Sequence, residues 1–352
     1  MKLQHLLSGV LPSNHLGCIH SLVLFAIVWL FQPLQAQDIH FSQFYNAPLN
    51  LNPALTGLSP GDQRFGANYR QQWASVPVPY TTFSGAYDQK LYLPWLGSGF
   101  FGGGLVFNYD KAGDAKLSWA QLGVNAAYTQ QITDEQFLSA GFQLLGGQRA
   151  FDPQQLRFDD QYNGDIFDES IPTAEAFMKT AVAYIDFGAG INWYFQEEGS
   201  RTRIYVGLGF YHLNRPNISF LGDQGVQLPM NGRTYAMATV QLQERLDLVL
   251  NGLWNYQGAY QEGVFGGAVR YHLSQERGQE LALQLGISYR MSDAMISHFE
   301  VFYQNWHLGI SYDINTSPFY AATNRNGGPE LSLRYIITKV KPPDTFKACP
   351  IF

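Results

Sequence analysis

An alternation of apolar and polar residues with a period of two runs through most of this chain. It is clearest over residues 281–290, where Leu281, Leu283 and Leu285 share one face and small or polar residues share the other. Such alternation is typical of a β-strand with two different faces. Ten residues also suffice for a tilted strand to cross a bilayer.

The same alternation recurs in about fourteen segments between residues 64 and 335. The apolar faces of the strongest repeats, such as 138–144 and 183–193, contain no Asp, Glu, Lys or Arg. A lysine or arginine that faces lipid at mid-bilayer costs about 2–4 kcal/mol, so contact with lipid explains the absence of charged residues from these faces. We therefore predict an all-β protein, a transmembrane antiparallel outer-membrane β-barrel of about fourteen strands over residues 61–338.

The connections between the predicted strands support the same architecture. The three longest, about residues 150–178, 213–231 and 314–328, follow the fifth, seventh and thirteenth strands. They therefore share one end of the predicted barrel, whereas most even-numbered strands are followed by short turns. Long outer loops and short periplasmic turns are typical of outer-membrane barrels.

Composition agrees with a barrel and raises a question about its interior. Only 14% of the 352 residues are charged, and the chain contains 35 glycines, against about a quarter charged in an average soluble protein. Fourteen strands imply a backbone radius of about 14 Å. Small lumen-facing side chains cannot fill that space, so we expect water or a folded-in segment, either the leader described below or the 150–178 loop.

The two ends of the chain are predicted not to contribute strands to the barrel. Residues 1–36 contain a short apolar run followed by a small-residue site, which indicates a secretory signal peptide. We predict a periplasmic leader over 37–60 and a periplasmic tail over 339–352. Cleavage of the signal would leave Cys349 as the only cysteine, so no disulfide within the mature chain is expected, although pairing with another protein stays open.

Several motifs of the leader and the tail resemble those of a known family. The leader carries Phe41-Ser-Gln-Phe-Tyr45 and Leu51-Asn-Pro-Ala-Leu-Thr-Gly57, followed by Tyr69-Arg-Gln-Gln-Trp73 and Pro79-Tyr-Thr-Thr82. The tail ends in Phe346-Lys-Ala-Cys-Pro-Ile-Phe352. These segments are similar to those of the PorP/SprF family of type IX secretion system membrane proteins.

The resemblance implies a non-enzymatic outer-membrane component that acts by binding other proteins. Some relatives work with the periplasmic ring of the secretion apparatus, and others help export a secreted surface adhesin or gliding protein or hold it at the cell surface. The family implies no catalytic residues and no cofactor. The alternative is a passive porin or ligand transporter, supported by the polar lumen, and nucleic acid is not expected as a partner for a chain with net charge −6.

Candidate partner-binding residues lie in the leader, in the acidic 150–178 loop and in the tail. The leader could dock periplasmic partners, plug the barrel, or do both. The loop suits a basic partner surface better than calcium, because its acidic residues lack the spacing of a twelve-residue calcium loop. The candidates are Phe41, Phe44, Tyr45, Asn52, Pro53, Asp159, Asp160 and Cys349.

Isolated histidines supply no obvious catalytic or metal site. His307 and Asp313 share the lumen face of one predicted strand, but six residues of strand separate them by about 20 Å. A barrel hydrolase built on this pair is therefore the weakest functional class. His212 and His298 have no partner at the spacing of metal ligands.

Overall fold

The structure is a computed structural model that describes residues 38–73, 79–168, 170–175, 179–222, 225–318 and 320–338. The predicted signal peptide, the predicted tail and Cys349 lie outside the described residues. Within the described residues, no helix has the length and apolar character needed to span a membrane.

Fourteen antiparallel strands form one closed barrel in chain order, with β1 paired to β14. The strands are β1 (Gln63–Gln72), β2 (Tyr80–Leu91), β3 (Phe100–Ala112), β4 (Leu117–Gln131), β5 (Gln136–Ala150), β6 (Ala181–Gln196), β7 (Arg203–Tyr211), β8 (Asn231–Gln243), β9 (Leu246–Gln257), β10 (Tyr260–Ser274), β11 (Leu281–Arg290), β12 (Ala294–Tyr303), β13 (Trp306–Asn315) and β14 (Asn326–Ile337). The predicted fold is confirmed.

The period of two separates an apolar outer face from a polar lumen. In β11, Leu285 and Ile287 are 68% and 57% exposed, while Gln284 and Arg290 are almost fully buried. Apolar side chains that would face water in a soluble sheet are the expected contact with lipid in a barrel. The faces predicted from the sequence are therefore confirmed for this strand.

The two ends of the barrel differ in loop length as predicted. The connections after β5, β7 and β13 (residues 151–180, 212–230 and 316–325) are the three longest, and they share one end. We call this the outer end, following the asymmetry of outer-membrane barrels. At the opposite, inner end, β1 begins and β14 ends.

The lumen is filled by residues 38–58, which we call the plug. Asp38 lies near the outer end and Gly57 near the inner end, so the plug runs down the lumen before β1 begins. It contains α1 (Pro48–Leu51) and two 3₁₀ turns, Phe44–Asn46 and Pro53–Leu55. For the leader at 37–60 we predicted a docking role, a plug or both, and the described residues 38–58 form a plug inside the barrel.

Apolar packing holds the plug against the wall between β8 and β12. Phe44, Leu51, Leu55 and Leu58 form one buried cluster together with five barrel residues, which are Phe100 at the start of β3 and Tyr235, Leu253, Val264 and Ile296 on β8 to β12. Burial of a large apolar side chain contributes about 1.5–3 kcal/mol. The plug is thus packed as a small core inside the barrel.

The wall carries glycines where the plug backbone comes closest. A Cβ at Gly141 would overlap the plug backbone at Pro53 and Ala54, and a Cβ at Gly190 would overlap the side chain of Asn52. Only a residue without a side chain fits at such positions.

A second element closes the outer end beside the plug. Ile218 and Leu228, from the β7–β8 connection, are buried against Trp119, Leu145 and Tyr184 of the lumen wall. An isolated β-bridge between residues 217 and 227 shapes this connection. The described lumen is therefore closed by the plug and by this loop.

The remaining short elements lie in connections between strands. They are α2 (Tyr320–Thr323) and the 3₁₀ turns Pro94–Leu96, Pro153–Gln155 and Asp159–Gln161.

Candidate functional site

Charged and polar residues of the lumen wall hold the plug at three levels. The outermost level is centred on Asp38, whose carboxylate accepts hydrogen bonds from Arg233 Nη2 at 2.6 Å and from Asn231 at 3.2 Å. His212 Nε2 lies 3.6 Å from the same carboxylate, and its Nδ1 lies 2.6 Å from Asp186. One histidine therefore lies between a carboxylate of the plug and a carboxylate of the wall.

The two carboxylates shift the protonation of His212. Burial alone would lower the pKa of His212, but hydrogen bonds to Asp186 and Asp38 raise it to about 9. Burial would raise the pKa of Asp38, whereas His212 and Arg233 lower it to about 2. At neutral pH the arrangement is therefore an ion-paired latch between plug and wall.

The middle level is a buried cluster around Asp313. Its carboxylate accepts hydrogen bonds from Arg70 at 2.7 Å, from Arg290 at 2.9 Å and from the Ser42 hydroxyl at 2.8 Å. Glu330 accepts hydrogen bonds from the backbone N–H groups of Ser42 and Gln43, at 2.7 and 2.9 Å. Charges from the lumen wall thus replace water for plug groups that would otherwise be unsatisfied.

The inner level is centred on Glu300. Its carboxylate accepts hydrogen bonds from Tyr45 at 2.9 Å and from Gln284 at 2.6 Å, and His307 Nε2 lies 2.5 Å away. The other ring nitrogen of His307 accepts a hydrogen bond from Arg334 at 2.7 Å. His307 therefore takes part in a network separate from that of Asp313.

Amide and backbone contacts complete the seating of the plug near its inner end. Asn52 Nδ2 donates to the carbonyl oxygens of Ile191 and Leu208, at 2.9 and 3.1 Å. The N–H of Gly57 donates to Asp88 at 2.6 Å, and Asp88 also pairs with Arg64 at 2.8 Å. These contacts fix the chain direction just before it enters β1.

Most of the leader candidates face the barrel wall. Phe41, Phe44, Asn52 and Pro53 are buried, and Tyr45 is partly buried. In this arrangement their side chains contact the wall, so a partner protein would reach them only after the plug moves. Their role in partner binding stays a prediction.

The acidic candidates of the β5–β6 connection are exposed on the outer end. Asp160 accepts hydrogen bonds from the Thr173 hydroxyl at 3.0 Å and from the Ala174 N–H at 2.5 Å, which shapes the loop, and Asp159 is exposed beside it. Within the part of the chain that the structure describes, no group of three His, Cys, Asp or Glu residues is placed to hold a metal ion.

The two large outer loops contact each other. Phe151 and Phe220 lie with their ring centroids 4.7 Å apart, and Lys179 N–H donates to the Phe220 carbonyl at 3.1 Å. Tyr162 and Ile166 are 55% and 62% exposed on the same loop as the two acidic candidates. The outer end therefore presents an apolar and acidic surface on two packed loops.

The sequence analysis missed the residues that bind the plug to the wall. Arg70, Arg290, Glu300 and Glu330 lie in predicted strands, and all four are buried. The signal was present, because each is a charged residue on a lumen-facing position. Their partners could not be assigned without the register of the plug.

Solved barrel structures show only distant similarity. The "TodX monoaromatic hydrocarbon channel deltaS2 mutant" shares 11% identity at a TM-score of 0.49, covering 82% of this chain and 92% of that one. A FadL homologue of Pseudomonas aeruginosa shares 12% identity at a TM-score of 0.45, covering 81% of this chain and 92% of that one. Haemophilus ducreyi BamA lacking POTRA domains 1–3 shares 7% identity at a TM-score of 0.41, covering 78% of this chain and 70% of that one. These values support no inference about this chain.

A comparison with curated protein sequences found no significant match. A family model described as "Type IX secretion system membrane protein PorP/SprF" matches residues 34–335, which includes the plug and nearly all of the barrel. Together with the closed barrel and its apolar outer face, the match identifies an outer-membrane component of the type IX secretion system. The chain belongs to the PorP/SprF family.

Proposed function

We propose that this barrel anchors or escorts secreted surface proteins, such as adhesins or gliding proteins, by protein–protein binding and without enzymatic activity. The observation that carries the proposal is the closed lumen. Three levels of buried contacts hold the plug, centred on Asp38, Asp313 and Glu300. A rigid, closed scaffold in the outer membrane suits a binding role better than the passage of solutes.

The outer loops are the surface on which we place the secreted partner. They present exposed apolar residues, Tyr162 and Ile166, next to exposed acidic residues, Asp159 and Asp160. Binding surfaces often lie on long loops held by a rigid scaffold. A partner with a basic rim around an apolar centre would complement this surface.

The test uses the native bacterium lacking this gene. We expect at least one surface protein to move from the cell surface to the medium, or to stop being exported, as measured by quantitative proteomics of both fractions. Complementation with the wild-type gene should restore it, whereas the double variant Tyr162→Ser and Ile166→Asp should not. The control variant is Asp114→Ser, an exposed residue in the short outer turn between β3 and β4.

An unchanged surface proteome in the deletion strain would contradict the proposed role. Full restoration by the double variant would place the partner elsewhere on the barrel. The amount of folded barrel in the outer membrane must be equal for all variants.

A further inference from the structure

A cavity of about 120 Å³ lies between the inner part of the plug and the lumen wall. It is bordered by the plug on one side and by strands β7 to β14 and β1 on the other. Arg203 begins β7 at the inner end, and exposed Pro60 lies at the same rim. The cavity is thus placed to be reached from the periplasm, and it lies inside the lumen rather than on the lipid-facing surface. The residues used below are Leu55, Leu58, Arg203, Met237, Arg270 and Arg334.

Three arginines of this cavity form no ion pair within the described part of the chain. Arg270 directs both of its hydrogen bonds, at 3.0 and 2.8 Å, to the neutral Gln284 Oε1. Arg334 donates to the His307 ring at 2.7 Å, and its buried Nε has no hydrogen-bond partner among the described residues. Arg203 is partly exposed at the rim. Arg64, which also borders the cavity, differs because it is paired with Asp88.

The carboxylate of Glu300, which also borders the cavity, supplies one negative charge against the three positive charges of these arginines. Its oxygens are already engaged by Tyr45, Gln284 and His307. Guanidinium groups gathered around a partly enclosed space repel one another, and an incoming anion relieves that repulsion. Arginine also binds carboxylates through two parallel hydrogen bonds, which gives such a site geometric selectivity.

The opposite side of the cavity is apolar. Leu55 and Leu58 of the plug and Met237 of β8 border it. A ligand that fits both sides carries a carboxylate next to an apolar side chain. The small volume suits one inserted side chain with its neighbour, and an acidic peptide segment has this chemistry.

We propose that this pocket binds a Glu or Asp side chain of an acidic, partly apolar peptide segment presented by a periplasmic partner protein. The inference deepens the proposed binding function and rests on it for its biological meaning. The pocket gives the inner end of the barrel a recognition site separate from the outer loops. Its occupant would also contact the plug, because Leu55 and Leu58 belong to both.

The test measures binding of a defined peptide to the full chain in detergent micelles. The probe is a fluorescein-labelled peptide amide, Gly-Leu-Glu-Leu-Gly, and its matched partner carries Gln in place of Glu. By fluorescence polarisation we expect the Glu peptide to bind about ten-fold more tightly, the effect of one charge-assisted contact. The difference should shrink as the salt concentration rises.

Two variants test whether this pocket is the site. Arg203→Gln should weaken binding of the Glu peptide about ten-fold, while Arg203→Lys should retain most of it. The matched control is Arg277→Gln, an exposed arginine in the inner turn between β10 and β11, which should bind as the wild type does. Heat-modifiable migration in SDS gels checks that each variant is folded.

Equal affinity for the two peptides would overturn the proposal, as would unchanged binding by folded Arg203→Gln. Displacement of the Glu peptide by inorganic phosphate at equal concentration would show a general anion site and would also overturn it. The result is independent of the surface-protein assay above. Peptide binding together with an unchanged surface proteome would support the pocket and contradict the proposed function. Absence of peptide binding together with a changed surface proteome would contradict the pocket and support the proposed function.

Discussion

The contacts of Arg290 permit a sharp test of how the buried charges hold the plug. Two carboxylates contact the same Arg290 Nη1, Asp313 at 2.9 Å and Asp293 at 3.0 Å. They differ in burial, because the side chain of Asp313 is 4% exposed and that of Asp293 is 36% exposed. We predict that Asp313→Asn strongly destabilises the barrel and that Asp293→Asn barely does.

The magnitudes follow from solvent access. Removing one partner of a buried ion pair costs about 3–5 kcal/mol, because an uncompensated charge stays buried. Glu262 still contacts Arg290 at 2.9 Å and Glu330 still lies 3.7 Å from Arg70, so the lower end, about 3 kcal/mol, is expected. The exposed pair should contribute about 1 kcal/mol or less.

The assay is reversible urea unfolding of the purified chain from lipid vesicles, followed by tryptophan fluorescence. Asn keeps the shape of Asp, so both substitutions change charge with little change in packing. We expect the free energy of unfolding to fall by about 2 kcal/mol more for Asp313→Asn than for Asp293→Asn, with an unchanged denaturant slope. Equal effects of the two substitutions would refute the claim that the buried cluster, rather than general charge balance, stabilises the plugged state.

Two further predictions concern the fit and the protonation of the plug. Gly141→Val should cost about 1–3 kcal/mol in the same assay, because its side chain would meet the plug backbone at Pro53, whereas Gly146→Val on the same strand meets nothing within 4 Å; equal costs would count against close packing of the plug. The raised pKa of His212 predicts that this residue stabilises the folded barrel fully below its ordinary pKa of 6.5. This stabilisation should be lost as pH rises through about 9. The lowered pKa of Asp38 predicts that this residue stabilises the folded barrel above its ordinary pKa of 3.8. This stabilisation should be lost as pH falls towards 2. Stability should therefore fall between pH 6.5 and 9 in the wild type, and a similar fall in His212→Gln would contradict the latch.

The barrel could be predicted from the sequence because its determinants are local. A strand's two faces follow from alternate residues, and the position of the long connections follows from counting strands. Leu285 and Gln284 illustrate this, since their opposite exposure is set by the period of two alone. The need for something to fill the lumen also followed, from the small side chains on its wall.

The seating of the plug could not be predicted, because it depends on contacts distant in sequence. Ser42 meets Asp313, which lies 271 residues away, and the period of two does not give the register of an irregular segment inside a barrel. The same limit applied to the histidines. His307 contacts Glu300 of the neighbouring strand, a pairing set by the register of β12 with β13 rather than by spacing within one strand.

The most direct measurement of the central claim is the conductance of the full chain in a planar lipid bilayer. If residues 38–58 fill the lumen, the inserted protein should show no steady open channel, and a variant lacking Asp38–Gly57 that still folds should conduct ions. A large, steady conductance of the full chain at neutral pH would contradict the plugged barrel and would favour a passive porin.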